Sequence, residues 1–214
     1  MVDDASHYRW LAASYARGAL GRLDADDDTV LAAAATAELR LHRFKRTSGL
    51  PRVRAVLGLL RGLGATSLCD LGSGRGAFVW PLLDELPELS VVAVDRLPHR
   101  VADLAAVARG GVARLTALRG DVARLGVATD ATDVVTLLEV LEHLPDPAPA
   151  AREALRVARR AVVVTVPSTP DDNPEHLRLF DRASLTALFV DAGARRVVVD
   201  GVRGHLVAVA HVAG

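Results

Sequence analysis

The hydrophobic pattern of this chain changes character near residue 66. In the first part, apolar side chains recur at helical spacing, as Val53, Val56 and Leu60 do. From residue 66 onward, short apolar runs alternate with helical stretches, which predicts βαβ units and a parallel sheet buried on both faces. Seven strands are predicted, at residues 67–71, 90–94, 115–119, 133–138, 161–166, 195–199 and 205–211.

Only residues 200–204 separate the last two predicted strands. So short a connection cannot cross over between parallel strands, so the two strands must form a hairpin. We therefore expect one edge strand of the sheet to run antiparallel. The predicted fold is α/β, with helices on both faces of a seven-stranded, mostly parallel sheet.

The amino-terminal residues 1–62 read as a helical extension to a sheet domain over 63–214. Asp28 is expected to cap a helix over 29–41. Pro51 suits the first turn of the next helix, because proline has no N–H and an N–H at that position would have no partner within the helix. We expect the extension to form a partial lid on the substrate side. Its basic stretch from residue 40 to 54 either grips an anionic substrate or is a solvated helical face, paired with acids further upstream.

Composition limits the class of protein and its partners. The 214 residues are 50% hydrophobic, which fits one globular domain, and Lys+Arg and Asp+Glu both number 26. Without a net charge, neither nucleic acid nor an anionic membrane is an expected partner. Cys69 is the only cysteine, which excludes an internal disulfide, and its apolar surroundings predict a core residue. The polar amino terminus resembles no signal peptide, so we expect a cytoplasmic protein. We also expect it to be a monomer or a homodimer.

The most specific local pattern is a strand that runs into a glycine-rich turn. Residues 68–76 read Leu-Cys-Asp-Leu-Gly-Ser-Gly-Arg-Gly, and a helical stretch follows. Glycines allow a tight turn and a close approach of the backbone to a ligand, while the next helix presents free N–H groups. An acid two residues before the first glycine makes the pattern more specific than an isolated G-x-G-x-x-G. The turn therefore predicts a ligand site.

Two further carboxylates follow the next two strands. Asp95 ends the second strand, where an acid can hold a ribose diol by two hydrogen bonds, although it can also cap the helix that begins at Pro98. Asp121 follows the third strand and can accept a hydrogen bond from an exocyclic amine, with the backbone N–H of Val122 beside it. Alone, Asp121 would be a solvated loop residue. Together with the glycine turn, these acids predict a nucleoside-containing ligand at one sheet edge.

Residues 70–76, Asp95, Asp121 and 133–144 resemble successive motifs of the class I S-adenosylmethionine (SAM)-dependent methyltransferases, in particular the type 11 or ubiquinone-type subfamily. The resemblance covers about residues 50–214 and implies a Rossmann-like fold with SAM as the cofactor. It implies that the glycine turn packs against the methionine moiety, Asp95 binds the ribose and Asp121 with Val122 holds the adenine. A phosphate-bearing dinucleotide is the less favoured occupant. The implied cofactor-binding residues are Asp70, Gly72, Ser73, Gly74, Gly76, Asp95, Arg96, Asp121, Val122 and Glu139.

The fourth strand leads into the candidate catalytic residues. Glu139 and His143 are four residues apart, so in a helical turn they would share a face beside the transferred methyl group. The proline-rich loop at 167–180 resembles the substrate loop of the same subfamily and contains His176. Methyl transfer is an in-line displacement that depends mainly on positioning, with a base where the acceptor is a hydroxyl. His143 or His176 can supply that base, or can serve only in packing.

A metal site is the main alternative for the same residues. Glu139, Glu142, His143 and His176 resemble the metal-binding set of the small-RNA 3′-terminal 2′-O-methyltransferases, and oxygen with imidazole ligands would suit Mn²⁺ or Fe²⁺. The Phe-x-Pro-Pro motif of those enzymes is not found, so we expect no metal. The sequence thus predicts a SAM-dependent methyltransferase acting on a small-molecule O, N or C acceptor. The alternatives are a metal-dependent RNA ribose methyltransferase and a non-catalytic SAM-binding regulator.

Overall fold

The computed structural model describes residues 4–41, 47, 49–170 and 172–212. Its helices are α1 (Asp4–Leu20), α2 (Asp27–Thr36), α3 (Pro51–Leu63), α4 (Val79–Glu85), α5 (Pro98–Arg109), α6 (Ala148–Val157) and α7 (Arg182–Asp191), with a 3-10 turn at Leu141–His143. Its strands are β1 (Ser67–Leu71), β2 (Ser90–Asp95), β3 (Leu115–Arg119), β4 (Thr132–Leu138), β5 (Ala158–Pro167), β6 (Arg196–Val202) and β7 (His205–His211). Each predicted strand is present, with ends that differ by up to three residues.

The strands form one sheet in the order β3-β2-β1-β4-β5-β7-β6. Strands β1 to β5 are parallel, and β7 is antiparallel to both β5 and β6. The predicted α/β fold, Rossmann-like and mostly parallel with a final hairpin, is confirmed.

The prediction that an edge strand runs antiparallel is wrong. The antiparallel strand is β7, which lies between β5 and β6, whereas the edge strand β6 runs in the same direction as β5. The burial of the two strands explains this order. The side chains from Leu206 to Ala210 are buried on both faces of the sheet, while those of β6 alternate in exposure. A strand that is apolar on both faces takes the interior position.

The amino-terminal helices begin and end at other residues than the sequence predicts. Asp26, not Asp28, caps α2, and its carboxylate accepts a hydrogen bond of 2.9 Å from the backbone N–H of Thr29. Asp28 instead pairs with Arg9 at 2.8 Å. Helix α2 ends at Thr36, before the predicted end at 41. Pro51 does begin α3, as predicted, whereas residues 42–46 of the basic stretch lie outside the described residues.

Helix α1 packs directly on helix α5 of the sheet domain. At Gly18 a Cβ atom would lie 1.8 Å from the carbonyl oxygen of Ala106, so only glycine permits this crossing. Leu11 and Tyr15 of α1 belong to the same buried cluster as Trp80 and Leu104. The amino-terminal helices therefore share a core with the sheet. No helix in the described part of the chain is long and apolar enough to cross a membrane.

Candidate active site

A cavity of about 930 Å³ lies at the carboxyl edge of the parallel strands. The loops after β1 to β4 leave the sheet at this edge because the strands run in the same direction. Amino-terminal residues of α3 and part of the loop at 168–180 complete its wall. The lining includes the polar residues Thr47, Arg52, Asp70, Ser73, Arg75, Asp95, Arg96, Arg100, Asp121, Glu139, His143, Asp146, Thr165 and Glu175.

The glycine turn folds back over the end of β2. The N–H groups of Gly72 and Ser73 both donate to the carbonyl oxygen of Val94, at 2.9 and 3.0 Å. Gly72 has a φ of 77°, and a Cβ atom there would lie 2.6 Å from a methyl group of Val140. Glycine is therefore required by both the backbone conformation and the neighbouring loop.

Asp70 supports this turn from inside the protein. Its side chain is buried, and one carboxylate oxygen accepts a hydrogen bond of 2.6 Å from the hydroxyl of Thr136 on β4. The hydroxyl of Ser73 donates to the backbone carbonyl of Asp70 at 2.8 Å. Burial raises the pKa of Asp70, against the effect of the hydrogen bond from Thr136. Asp70 thus links β1, β4 and the glycine turn.

Asp95 joins the end of β2 to the same turn. One carboxylate oxygen accepts from the N–H of Gly74 at 2.9 Å, and the other accepts from the N–H of Leu97 at 2.8 Å. Arg100 of α5 approaches the first of these oxygens at 3.4 Å. Because a carboxylate can accept about four hydrogen bonds, both oxygens retain capacity toward the cavity. Asp95 is therefore both a brace for the turn and a candidate ligand-binding group.

The remaining predicted cofactor residues differ in their relation to the cavity. Arg96, Asp121 and Val122 line it, and the carboxylate of Asp121 also accepts from the N–H of Ala123 at 2.9 Å. Gly76 is not among the lining residues. A Cβ atom at Gly76 would lie 2.3 Å from the indole ring of Trp80, so this glycine permits packing of the helix behind the turn.

Glu139 has an unusual backbone conformation at the end of β4. Its φ is 58°, a region that non-glycine residues seldom adopt, and the helical turn begins only at Leu141. The prediction that Glu139 and His143 share a helical face is therefore wrong. The Glu139 carboxylate accepts from the hydroxyl of Thr165 at 2.7 Å and lies 3.0 Å from Nε2 of His205. Nε of Arg52 is 4.0 Å away.

His143 lines the cavity, whereas His176, which is not among the lining residues, packs beside His143. Nδ1 of His143 is 2.9 Å from the backbone carbonyl of Glu175, so this nitrogen carries the proton and Nε2 is the basic atom of the neutral ring. The centroids of the two imidazole rings are 4.8 Å apart. Of the four residues proposed as a metal cage, Glu142, His143 and His176 have potential ligand atoms within 4.8 Å of one another, whereas Glu139 is outside this group.

Comparisons with known proteins agree with this geometry. The family model of the methyltransferase domain matches residues 69–165, which include the glycine turn, Asp95, Asp121 and Glu139. A Mycobacterium tuberculosis protein named "Probable S-adenosylmethionine-dependent methyltransferase" is 33% identical over 122 residues. That match covers 52% of this chain and 43% of the relative, so it represents less than half of the relative's length.

Solved methyltransferase structures have the same fold. A SAM-dependent methyltransferase from Aquifex aeolicus matches 78% of this chain and 92% of its own, with a TM-score of 0.63 and 19% identity. The magnesium protoporphyrin IX methyltransferase of Synechocystis, solved with bound S-adenosylhomocysteine (SAH), matches 76% of this chain and 82% of its own, with a TM-score of 0.60 and 20% identity.

Residues 69–165 thus match the methyltransferase-domain family, and the chain has the fold of solved SAM-dependent methyltransferases. These matches support the predicted superfamily, the class I SAM-dependent methyltransferases, and with it SAM as the cofactor.

Several residues of this candidate site were missed by sequence reasoning. Thr136 and Thr165 are buried polar residues in otherwise apolar strands, a signal that could have marked them. Arg100 and His205 gave no local signal, because each acts on a carboxylate carried by a different element. Cys69 is buried in the core as predicted, and burial raises the pKa of its thiol to about 12.

Proposed function

We propose that this protein binds SAM in the cavity and transfers its methyl group to a small-molecule acceptor. The observation that carries the proposal is the convergence of the glycine turn and Asp95 on one cavity, joined by the hydrogen bond from Gly74 N–H to the Asp95 carboxylate. A volume near 930 Å³ is at the upper end of the range for ligand pockets, which is about 300–1,000 Å³. Cofactor and acceptor can therefore lie side by side.

Each cofactor contact in this proposal uses a group that lines the cavity. Asp95 binds the ribose hydroxyls with the lone pairs that its backbone partners leave free, and Arg96 lies beside it. Asp121 and the N–H of Val122 hold the adenine edge. The glycine turn, from Gly72 to Gly74, faces the methionine part, while Asp70 and Gly76 act through the shape of the turn.

The acceptor lies next to Glu139 and His143, which both line the cavity. Because Nδ1 of His143 is directed at a carbonyl, its Nε2 is one candidate base for a hydroxyl acceptor, and the Glu139 carboxylate is the other. His176 supports His143 through ring packing and is itself contacted by Asn173 at 3.0 Å. Residues of the amino-terminal extension reach the cavity at Thr47 and the start of α3, which supports the proposed lid role for that segment.

The metal-dependent RNA methyltransferase is the second candidate. It is favoured by the grouping of Glu142, His143 and His176 within 4.8 Å, but the fourth residue, Glu139, is bound to Thr165 and His205 instead. The zero net charge also gives no general attraction for RNA. A small-molecule acceptor therefore remains our proposal, for a cytoplasmic monomer or homodimer that needs no metal.

Calorimetric titration with SAM and SAH tests the first step. We expect both to bind with a stoichiometry of one, and a screen of hydroxyl, amine and carbon acceptors should then yield turnover with release of SAH. Failure of the folded protein to bind either compound would refute the proposed function. Tight binding without turnover on any acceptor class, RNA included, would favour the non-catalytic regulator.

A further inference from the structure

Glu139 is held in its strained conformation by two strands that are remote in sequence. The backbone N–H of Glu139 donates to the carbonyl of Thr165 at 3.0 Å, and the Thr165 hydroxyl donates to one carboxylate oxygen of Glu139 at 2.7 Å. Nε2 of His205, at the start of β7, lies 3.0 Å from the other oxygen. A left-handed non-glycine residue persists only where surrounding contacts over-determine it, and such residues cluster at functional sites.

These contacts direct the carboxylate toward the place where methyl transfer would occur. Glu139 lines the cavity, and the next residue, Val140, packs against Gly72 of the glycine turn. Strand β4 is the direct neighbour of β1, so the Glu139 carboxylate and the turn lie on the same part of the sheet edge. Among the described residues, one carboxylate oxygen accepts from the Thr165 hydroxyl and the other lies beside the His205 ring, which leaves lone pairs for a ligand.

We propose that Thr165 and His205 are positioning residues that fix Glu139 as the hydrogen-bond acceptor for the nucleophile of the methyl acceptor. This inference rests on the proposed function and narrows its substrate class to acceptors with an O–H or N–H nucleophile. The lone pair of that oxygen or nitrogen attacks the methyl carbon, and the carbon–sulfur bond breaks with its electron pair moving to sulfur. The proton of the nucleophile passes to the Glu139 carboxylate and then to water, which leaves the methylated product and neutral SAH.

The SAM analogue sinefungin tests this placement without a known acceptor. In sinefungin, a carbon that bears a primary amine replaces the methylsulfonium group, so its N–H donors project where the transferred methyl would lie. SAH carries nothing at that position. The ratio of sinefungin affinity to SAH affinity therefore measures whether a carboxylate faces the methyl. Failure of both compounds to bind the wild-type protein would overturn the proposed function itself, and is distinct from every outcome below.

We expect Glu139→Gln to lower the preference for sinefungin over SAH by about tenfold to a hundredfold, the range for losing a hydrogen bond to a charged group, with SAH affinity retained. An unchanged ratio would overturn the role of Glu139. Thr165→Val and His205→Phe should each lower the ratio by about two- to tenfold, because the Glu139 carboxylate loses one of the two contacts that fix its orientation. Wild-type ratios in both variants would overturn the positioning role.

Two further variants separate positioning from general damage to the fold. Thr165→Ser keeps the hydroxyl, so it should have the wild-type ratio of sinefungin affinity to SAH affinity. A purely steric role of the threonine would not predict this result. His211→Phe, at the opposite end of β7, is the matched control for His205→Phe. It should leave the ratio unchanged, and an equal loss in both histidine variants would mean that β7 acts only through its packing.

Discussion

Replacing Asp95 by alanine tests two roles of one carboxylate, as a brace for the glycine turn and as a ribose ligand. Asp95 is 3% exposed, and its carboxylate accepts hydrogen bonds from the N–H groups of Gly74 and Leu97. Each hydrogen bond to a charged group contributes about 1.5–3 kcal/mol, but the freed N–H groups can partly turn to water. We therefore expect the variant to lose roughly 2–4 kcal/mol of unfolding free energy, about 5–15 °C in melting temperature for a chain of this size.

The ribose contact adds a second, separable effect. Loss of hydrogen bonds from the ribose hydroxyls should weaken SAM and SAH binding by about 1.5–3 kcal/mol, on the order of 10- to 150-fold in Kd. Thermal unfolding without ligand measures the first effect, and calorimetry below the transition measures the second. Asp121→Ala is the control, because its exposed carboxylate has one backbone partner at 2.9 Å among the described residues, so binding should weaken with little change in melting temperature. Unfolding of Asp95→Ala at the wild-type temperature would refute the brace, and unchanged affinity would remove Asp95 from the cofactor site.

Three other predictions concern packing, pH and metal. Gly18→Ala should destabilise the fold by about 1–3 kcal/mol in urea unfolding, because its Cβ would meet the Ala106 carbonyl at 1.8 Å. Gly62→Ala, whose Cβ meets no described atom within 4 Å, should be neutral or stabilising by up to about 1 kcal/mol, and equal losses in both variants would contradict the close helix crossing. Burial opposes ionisation of Asp133, but hydrogen bonds from Thr66, Ser67 and Arg159 outweigh it and hold its pKa well below the usual range. The group therefore stabilises the fold above its unfolded pKa of about 3.9, and acid unfolding should remove that contribution as the pH falls toward the lower folded value. Asp133→Asn should lack this part of the pH dependence, and parallel stability profiles of variant and wild type between about pH 5 and 2 would contradict the assignment. Methyl transfer should survive a chelator, and about one equivalent of tightly bound metal together with loss of activity in chelator would instead favour the RNA ribose methyltransferase.

The parts of the site that were predictable are those encoded by consecutive residues. The glycine turn could be located because a buried strand, three glycines and a helix follow one another, and the alternation of apolar runs located each strand. The acids Asp95 and Asp121 could be placed at the cavity because parallel strands end at the same sheet edge. Periodicity and topology were sufficient for these features.

Other features depended on choices between local alternatives that the sequence pattern does not distinguish. Asp26 and Asp28 are both of a residue type that caps helices. In the structure the cap is Asp26, whose carboxylate accepts from the N–H of Thr29, three residues further on. The hairpin was evident from its short turn, but its orientation was not. The position of β7 inside the sheet depends on burial of both its faces, which a pattern of apolar residues shared by both strands does not reveal.

The acceptor side of the cavity shows why local sequence was least informative there. Spacing placed Glu139 and His143 on one helical face, but a left-handed residue interrupts that geometry before the turn begins. The conformation is maintained by Thr165 on β5 and His205 on β7, residues that the sheet order brings to Glu139 from 26 and 66 positions away. A residue whose backbone opposes its own local preference needs partners from elsewhere in the fold. The strained residue and its remote partners are therefore one unit, and a variant of His205, which is not among the residues that line the cavity, should still alter the chemistry at Glu139.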